Sequence, residues 1–149
     1  MKEIGKIYGD VIDDEFSFVS KSFFDGDYVK ITEDDGAEII CQIGRRNISN
    51  RYLETPQAIR YLTDDMDIEK DTLYTYQAFP IGVVKDGEVV SRRVNAFPGR
   101  KVFSVDSDSL QTVYGIPENG IEMGYLKKMP VCKIRLNMDN TVSAAIYLW

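Results

Sequence analysis

Histidine, the side chain that most often transfers protons near neutral pH, does not occur among the 149 residues. Its absence excludes Ser–His and Cys–His nucleophile pairs, histidine-ligated zinc and imidazole proton shuttles. The two cysteines, Cys41 and Cys132, are too few for a four-thiolate metal site. Both lie in apolar, strand-like stretches, so we predict that they are reduced residues of the core.

Two glycine pairs have the separation found in phosphate-binding loops, at residues 82–87 and 115–120. They are followed by Glu88-Val89 and Ile121-Glu122, where such a loop needs lysine and then serine or threonine. Without the lysine no cation reaches the β- and γ-phosphates, and a carboxylate at that place repels them. We interpret both segments as turns and expect no catalytic residue and no cofactor site in this chain.

Three clusters of carboxylates are the next candidates for chemistry: Asp13-Asp14-Glu15, Glu33-Asp34-Asp35 and Asp64-Asp65-Met66-Asp67. Clustered carboxylates bind Mg²⁺ or Ca²⁺, but the third cluster lacks the glycine and the spacing of an EF-hand loop. The first two lie at apparent turns between strands, where acidic residues are common. We interpret all three as solvated turns without a metal. A small enzyme that uses a pair of carboxylates stays open, because nothing in the sequence selects a pair.

Four cations, Arg92, Arg93, Arg100 and Lys101, lie close together in a chain whose net charge is −6. That net charge disfavours nonspecific binding of the whole chain to nucleic acid. The cluster is either a solvated strand end and loop, or a contact with phosphate groups or with an acidic neighbouring subunit. We take these four residues as the candidate contacts with a subunit or with DNA.

The elements that carry these residues are mostly short strands. Segments that alternate apolar and polar side chains, with turn signals every ~8–12 residues, are typical of an all-β barrel or sandwich. Strands are predicted at residues 4–9, 16–20, 28–32, 37–43, 72–78, 81–85, 88–94, 101–103, 123–126 and 130–136, and the first four are expected to form a meander.

Two short helices interrupt the strands. Thr55 and Pro56 form a typical helix start and predict a helix at residues 55–62, and a second helix is predicted at residues 107–114. No apolar run approaches the ~18 residues of a membrane-spanning helix. The expected fold class is therefore all-β: a small, Greek-key-like β-barrel with one or two short helices.

Short motifs along the chain occur in a familiar order. The early motifs are Ile4-Gly5-Lys6-Ile7, Glu15-Phe16-Ser17-Phe18-Val19 and Gly26-Asp27-Tyr28-Val29. The later motifs are Phe97-Pro98-Gly99, Asp108-Ser109-Leu110, Gly115-Ile116, Gly120-Ile121-Glu122-Met123-Gly124-Tyr125-Leu126 and Pro130-Val131-Cys132-Lys133-Ile134-Arg135-Leu136. Their order resembles the N-terminal barrel of HerA-type ATPases, the bipolar DNA translocases or helicases. That domain is called the HAS barrel, because ATP synthase subunits share it.

The resemblance implies a domain organisation. Residues 1–137 are expected to form the HAS-type barrel. Residues 138–149 are expected to form an apolar tail that leads into the first strand of an ATPase core, which these residues do not contain. ATP and Mg²⁺ are expected only in that core, so the resemblance assigns ATP hydrolysis to a parent enzyme and not to this chain.

The resemblance also implies a function. The barrel would serve the assembly and partner docking of a HerA-like, ATP-dependent DNA helicase that acts with a nuclease in DNA end processing and DNA repair. We expect a cytoplasmic homo-oligomer, a hexameric ring in the parent enzyme, with a NurA-type nuclease as partner, contact with DNA through the parent and no membrane. The alternative is a freestanding OB-like barrel that binds single-stranded nucleic acid.

Overall fold

The computed structural model describes residues 2–63, 66–94 and 96–115, together with the backbone of residues 121–126 and 129–136. In this part of the chain most elements are strands. The strands are β1 (Glu3–Ile12), β2 (Glu15–Ser20), β3 (Tyr28–Thr32), β4 (Glu38–Asn50), β5 (Thr72–Lys85), β6 (Glu88–Val90), β7 (Lys101–Ser104), β8 (Ile121–Leu126) and β9 (Met129–Leu136). The helices are the α-helix α1 (Ser107–Val113) and two 3-10 helices (Pro56–Tyr61 and Glu69–Asp71).

Six strands close into an antiparallel barrel in the order β1-β2-β5-β4-β3-β7, and β7 pairs again with β1. Strands β3, β4 and β5 follow one another along the sheet, and β7 returns to lie beside β3, which is a Greek-key arrangement. Strand β6 extends the sheet from β5, and β8 and β9 form a separate two-stranded sheet. The predicted all-β barrel with short helices is confirmed.

The predicted meander of the first four strands is wrong. Strand β2 pairs with β1 and β5, so β2 and β3 are not neighbours. Alternation of side chains identifies the buried face of a strand but does not identify the strand beside it. The two strands predicted at residues 72–85 are one continuous strand, β5, which passes Pro80 at an irregularity in its register with β4.

The two predicted helices have different outcomes. Residues 107–113 form α1, and its first turn is capped by Asp106, whose carboxylate accepts a hydrogen bond from the Ser109 N–H at 3.2 Å. The segment after Thr55 forms a 3-10 helix in which no residue is buried, so tertiary packing contributes little to a longer helix there. Among the described residues, no helix has the length and apolar character needed to cross a bilayer. The predicted tail at residues 138–149 lies outside the described residues.

Side chains fill the interior of the barrel. On β2, Phe16 and Phe18 point inward and are fully buried, while Ser17 and Val19 lie on the outer face. The Phe18 ring stacks on the ring of Tyr76 with centroids 4.8 Å apart. The other buried side chains of this core are Ile7, Val29, Ile31, Ala37, Ile39, Cys41, Ile43, Ala78, Val83, Ala96 and Val102.

Helix α1 covers the outer face of the barrel at β3, β4 and β5. Leu110 packs against Tyr28, Ile40 and Val84 to form a second, smaller core. The helix comes so close that a Cβ atom on Gly82 would lie 3.1 Å from Val113 Cγ1. A glycine at this position of β5 therefore allows the helix to approach the sheet.

A partly buried ion pair lies beside α1. Lys30 Nζ lies 2.8 Å from Glu38 Oε1, and the Ser109 hydroxyl donates to Glu38 Oε2 at 3.1 Å. Burial opposes ionisation of Asp106, but hydrogen bonds from Ser109 and the nearby charge of Lys30 lower its pKa overall. These polar contacts fix the position of the helix on the barrel.

Replacing a core phenylalanine tests this packing. We expect Phe18→Ala to lower the free energy of unfolding by about 3–5 kcal/mol, because the cavity replaces ring stacking inside the barrel. The matched change Ser17→Ala, on the outer face of the same strand, should cost less than about 0.5 kcal/mol. Urea denaturation followed by far-UV circular dichroism measures both. Equal losses for the two variants would contradict the assignment of the faces of β2.

Candidate functional site

The four cations singled out from the sequence lie on or beside the connection between β6 and β7, residues 91–100. In its described residues this segment does not continue β6 as a strand. Val94 and Ala96 pack against the barrel core, whereas Arg93 and Phe97 point outward. Ala96 is buried and Phe97 is 56% exposed, so an apolar ring is held at the surface by its buried neighbour.

The end of this connection is fixed to β1 by backbone hydrogen bonds. The Gly99 N–H donates to the Ile7 carbonyl at 2.7 Å, and the Ile7 N–H donates to the Arg100 carbonyl at 2.9 Å. Gly99 has a φ of +90°, which favours glycine over a residue with a side chain. The Phe97-Pro98-Gly99 motif therefore makes the turn that brings Phe97 and Arg100 to the edge of β1.

Arg92 is engaged within its own chain. Its Nη1 lies 3.0 Å from Glu33 Oε2 and 2.8 Å from Asp35 Oδ2, and Lys85 Nζ lies 3.2 Å from the same Asp35 oxygen. Hydrogen bonds from Arg92, from the Ala37 N–H and from Lys85 hold the pKa of Asp35 well below its usual range. From the sequence, this cluster was either a solvated loop or a contact with phosphate groups or an acidic neighbouring subunit; in the fold Arg92 contacts an acidic turn of its own chain.

The other three cations differ in their surroundings. Lys101 lies 3.4 Å from Glu3, in an exposed ion pair. The Arg100 guanidinium lies over the Phe97 ring at 5.4 Å, and its Nη1 is buried with no hydrogen-bond partner among the described residues. Arg93 is exposed and forms no ion pair with any described side chain. Of the four, Arg93 is the most available to a partner, and Arg100 lies against the Phe97 ring.

Arg93 borders a groove at the surface beside the end of β1. The groove is lined on one side by Arg93, Val94, Ala96, Phe97 and Pro98 and on the other by residues 9–12 and Asp14. Ile12 is 66% exposed, and the turn that follows it has both Asp13 and Asp14 in the left-handed region. We call this surface the Phe97 groove. It combines exposed apolar side chains with charges of both signs, which suits contact with another protein.

The exposure of Ile12 and Phe97 was not predicted from the sequence. Both are apolar residues next to other apolar residues, so the residue types alone do not show that these side chains are exposed. For Phe97, the sequence feature that indicates exposure is its position relative to a turn. Phe97 is one residue after Ala96 and directly precedes the Pro98-Gly99 turn, which reverses the chain before the ring can pack inward.

The other residues considered for chemistry are the carboxylate clusters and the two cysteines. Within the described ranges, no three carboxylate or thiol side chains come together in a way that could hold a metal ion. Cys41 is a buried free thiol, as predicted, and burial raises its pKa. The side chain of Cys132 and the residues Asp64 and Asp65 lie outside the described part.

Comparison with models of known protein families gives no match, and comparison with curated proteins also gives none. The function of the Phe97 groove therefore has to be argued from its own geometry.

The network around Asp35 predicts a pH dependence. Because the pKa of Asp35 is lower in the folded than in the unfolded state, its ion pairs stabilise the fold above pH ~4 and lose this effect as the pH falls. We expect Asp35→Asn to be less stable than the wild type at neutral pH. The difference should narrow in acid, as measured by urea denaturation at several pH values. A difference that stays constant with pH, or is matched by Asp34→Asn on the same turn, would contradict the network.

Proposed function

We propose that this chain is a HAS-type barrel that serves assembly and partner docking in a HerA-like, ATP-dependent DNA translocase or helicase. In this proposal the parent enzyme is a cytoplasmic homo-oligomeric ring that acts with a NurA-type nuclease in DNA end processing. ATP and Mg²⁺ belong to the ATPase core of the parent. The order of the sequence motifs supports the family, and the closed Greek-key barrel is consistent with it.

The observation that carries the docking role is the Phe97 groove. Large apolar side chains that gather at a surface mark protein contacts more often than scattered ones do. Aromatic residues and arginine are the residue types most enriched at the centres of interfaces. Phe97, with Arg100 over its ring and Arg93 beside it, supplies both types on a segment anchored by backbone hydrogen bonds.

The chemistry of these side chains favours binding over catalysis. Arginine stays protonated at all physiological pH values and does not act as a base in proteins. Such groups bind a partner by charge and hydrogen bonding, and the exposed side chains of Ile12 and Phe97 supply apolar contact beside them.

Substitutions in the groove test this docking role. We expect Phe97→Ser and Arg93→Glu each to weaken binding of the chain to a purified NurA-type nuclease by about tenfold or more, measured by isothermal titration calorimetry. Val89→Ser is the matched control, because Val89 is a similarly exposed apolar residue on β6, away from the groove. Binding that is unaffected by the groove variants, or no binding by the wild-type chain, would contradict the proposal.

A second candidate function is supported by one row of residues across the outer face of the barrel. Tyr8, Ser17, Gln77 and Arg45 are consecutive partners in register across β1, β2, β5 and β4. They line a shallow depression with Asn47 and Thr75. An exposed tyrosine beside an arginine and the two side-chain amides of Asn47 and Gln77 could hold single-stranded nucleic acid.

Salt dependence separates the two functions. The docking proposal expects weak binding of the isolated chain to a fluorescent single-stranded oligonucleotide, measured by anisotropy. Strong binding that falls steeply with salt and is lost in Tyr8→Ala and Arg45→Ala would favour the nucleic-acid function.

A further inference from the structure

The outer face of strands β1, β2, β5 and β4 carries two adjacent rows of residues in register. The first row is the one that begins with Tyr8 and ends with Arg45. In the second row, two residues away on each strand, the consecutive partners are Lys6, Val19, Thr75 and Asn47. All eight side chains are exposed or half-buried, because they alternate along each strand with the residues that face the core. We call these two rows, together with Lys21 directly after β2, the cationic face.

Two depressions lie side by side on this face. The smaller is lined by the first row and by Asn47 and Thr75 of the second row. The larger has a volume of ≈ 790 Å³ and lies between the beginnings of β1 and β5 and the end of β2. Its lining includes Lys6 and Val19 of the second row, and Lys21. Because the second row contributes to both depressions, they form one continuous surface.

The face is cationic although the whole chain has a net charge of −6. Neither row contains a carboxylate. Lys6, Lys21 and Arg45 are exposed, and none of them forms an ion pair with a described side chain. Among the residues that line the two depressions, the one carboxylate is that of Glu3, which lies 3.4 Å from Lys101. An anion bound to this face therefore meets three unpaired cations.

Carboxylates limit the face at two of its ends. Glu15 lies on the outer side of β2, one row beyond Ser17 and toward the β1–β2 turn. At the other end, Lys70 also lines the larger depression, but Glu69 and Asp71 flank it along the chain. We therefore assign Lys70 no part in the net charge of the face. The positive charge belongs to the middle of the sheet, at the two rows and Lys21.

The neutral side chains of the face indicate which anion fits. Tyr8 is 44% exposed, so its ring is available for stacking on an unpaired base. Asn47 and Gln77 each carry an amide that both donates and accepts hydrogen bonds, as contact with the edges of bases requires. In a duplex the bases stack on one another and leave none for the tyrosine ring. Cations together with an exposed aromatic ring and amides favour a single strand.

We propose that the cationic face binds single-stranded nucleic acid, with Lys6, Lys21 and Arg45 contacting phosphate groups and Tyr8 stacking on a base. The face is about 14 Å wide from β1 to β4, because neighbouring strands lie about 4.8 Å apart. Lys6 lies on β1 and Arg45 on β4, so a strand that crosses the sheet has a cation for its phosphates on each side. This inference rests on the second candidate function and names the phosphate contacts of that site. No described residue lines both this face and the Phe97 groove, so the contact does not use the docking surface.

The salt dependence of binding tests the phosphate contacts. The probe is a short fluorescent oligothymidylate, and fluorescence anisotropy at several salt concentrations gives the binding constant. Each phosphate contact with a single strand contributes about −0.7 to the slope of log K against log salt, so three contacts predict a slope of about −2. We expect Lys6→Gln and Lys21→Gln each to make this slope less negative by about 0.7. The double variant should bind about tenfold or more weakly at low salt.

Two control variants separate charge from stacking. Tyr8→Ala should weaken binding by about tenfold and leave the slope unchanged, because it removes a base contact and no phosphate contact. Arg60→Gln removes one positive charge at an exposed position that lines neither depression, and it should bind with the slope and affinity of the wild type. All four substitutions are at exposed positions, and far-UV circular dichroism checks that each variant is folded.

The results that would overturn the inference differ from those that would overturn the function on which it rests. Lysine variants with the slope and affinity of the wild type, while Tyr8→Ala and Arg45→Ala bind weakly, would overturn the phosphate contacts and leave the second candidate function standing. No binding by the wild-type chain at low salt would overturn both. A duplex of the same length that binds as tightly as the single strand, with no effect of Tyr8→Ala, would overturn the assignment to single strands.

Discussion

The pairing of β2 with β5 is the constraint on which the rest of the structure depends. It joins the β1–β2 hairpin to the β3–β4–β5 sheet along five residue pairs, from Phe16 with Ala78 to Ser20 with Tyr74. Without it, β2 would be an open edge of the sheet, and Phe16 and Phe18 would lose part of the packing that buries them. Closing the barrel therefore buries the inward-facing apolar side chains of these alternating strands in one core.

Closure also determines where function can lie. The interior is filled by side chains such as Phe18 and Tyr76, whose rings stack across the closing pair of strands. Binding is therefore left to the outer surface, where side chains not needed for the core are free to contact a partner. In the described residues the Phe97 groove is such a surface.

The sequence predicted where the strands lie along the chain better than it predicted which strands pair with each other. The alternation of apolar and polar side chains predicted the strands, because a residue such as Phe16 is stabilised by burial and Ser17 is not. The partner of β2 was not predictable, since it lies some sixty residues further along the chain. The same limit applied to Arg92: the basic cluster was visible, but its partners Glu33 and Asp35 are brought close only by folding. Thr55 and Pro56 correctly marked a helix start, and the α-helix failed to form because no surface buries Ile59.

Hydrogen–deuterium exchange on the chain, alone and with a NurA-type nuclease bound, is the most direct test of the claim that this barrel works through its outer surface. The account predicts that slower exchange on binding is confined to residues 9–14 and 93–98, while the β2 and β5 amides, protected by barrel closure, do not change. Slower exchange spread over the inner strands, or none in the Phe97 groove, would contradict it.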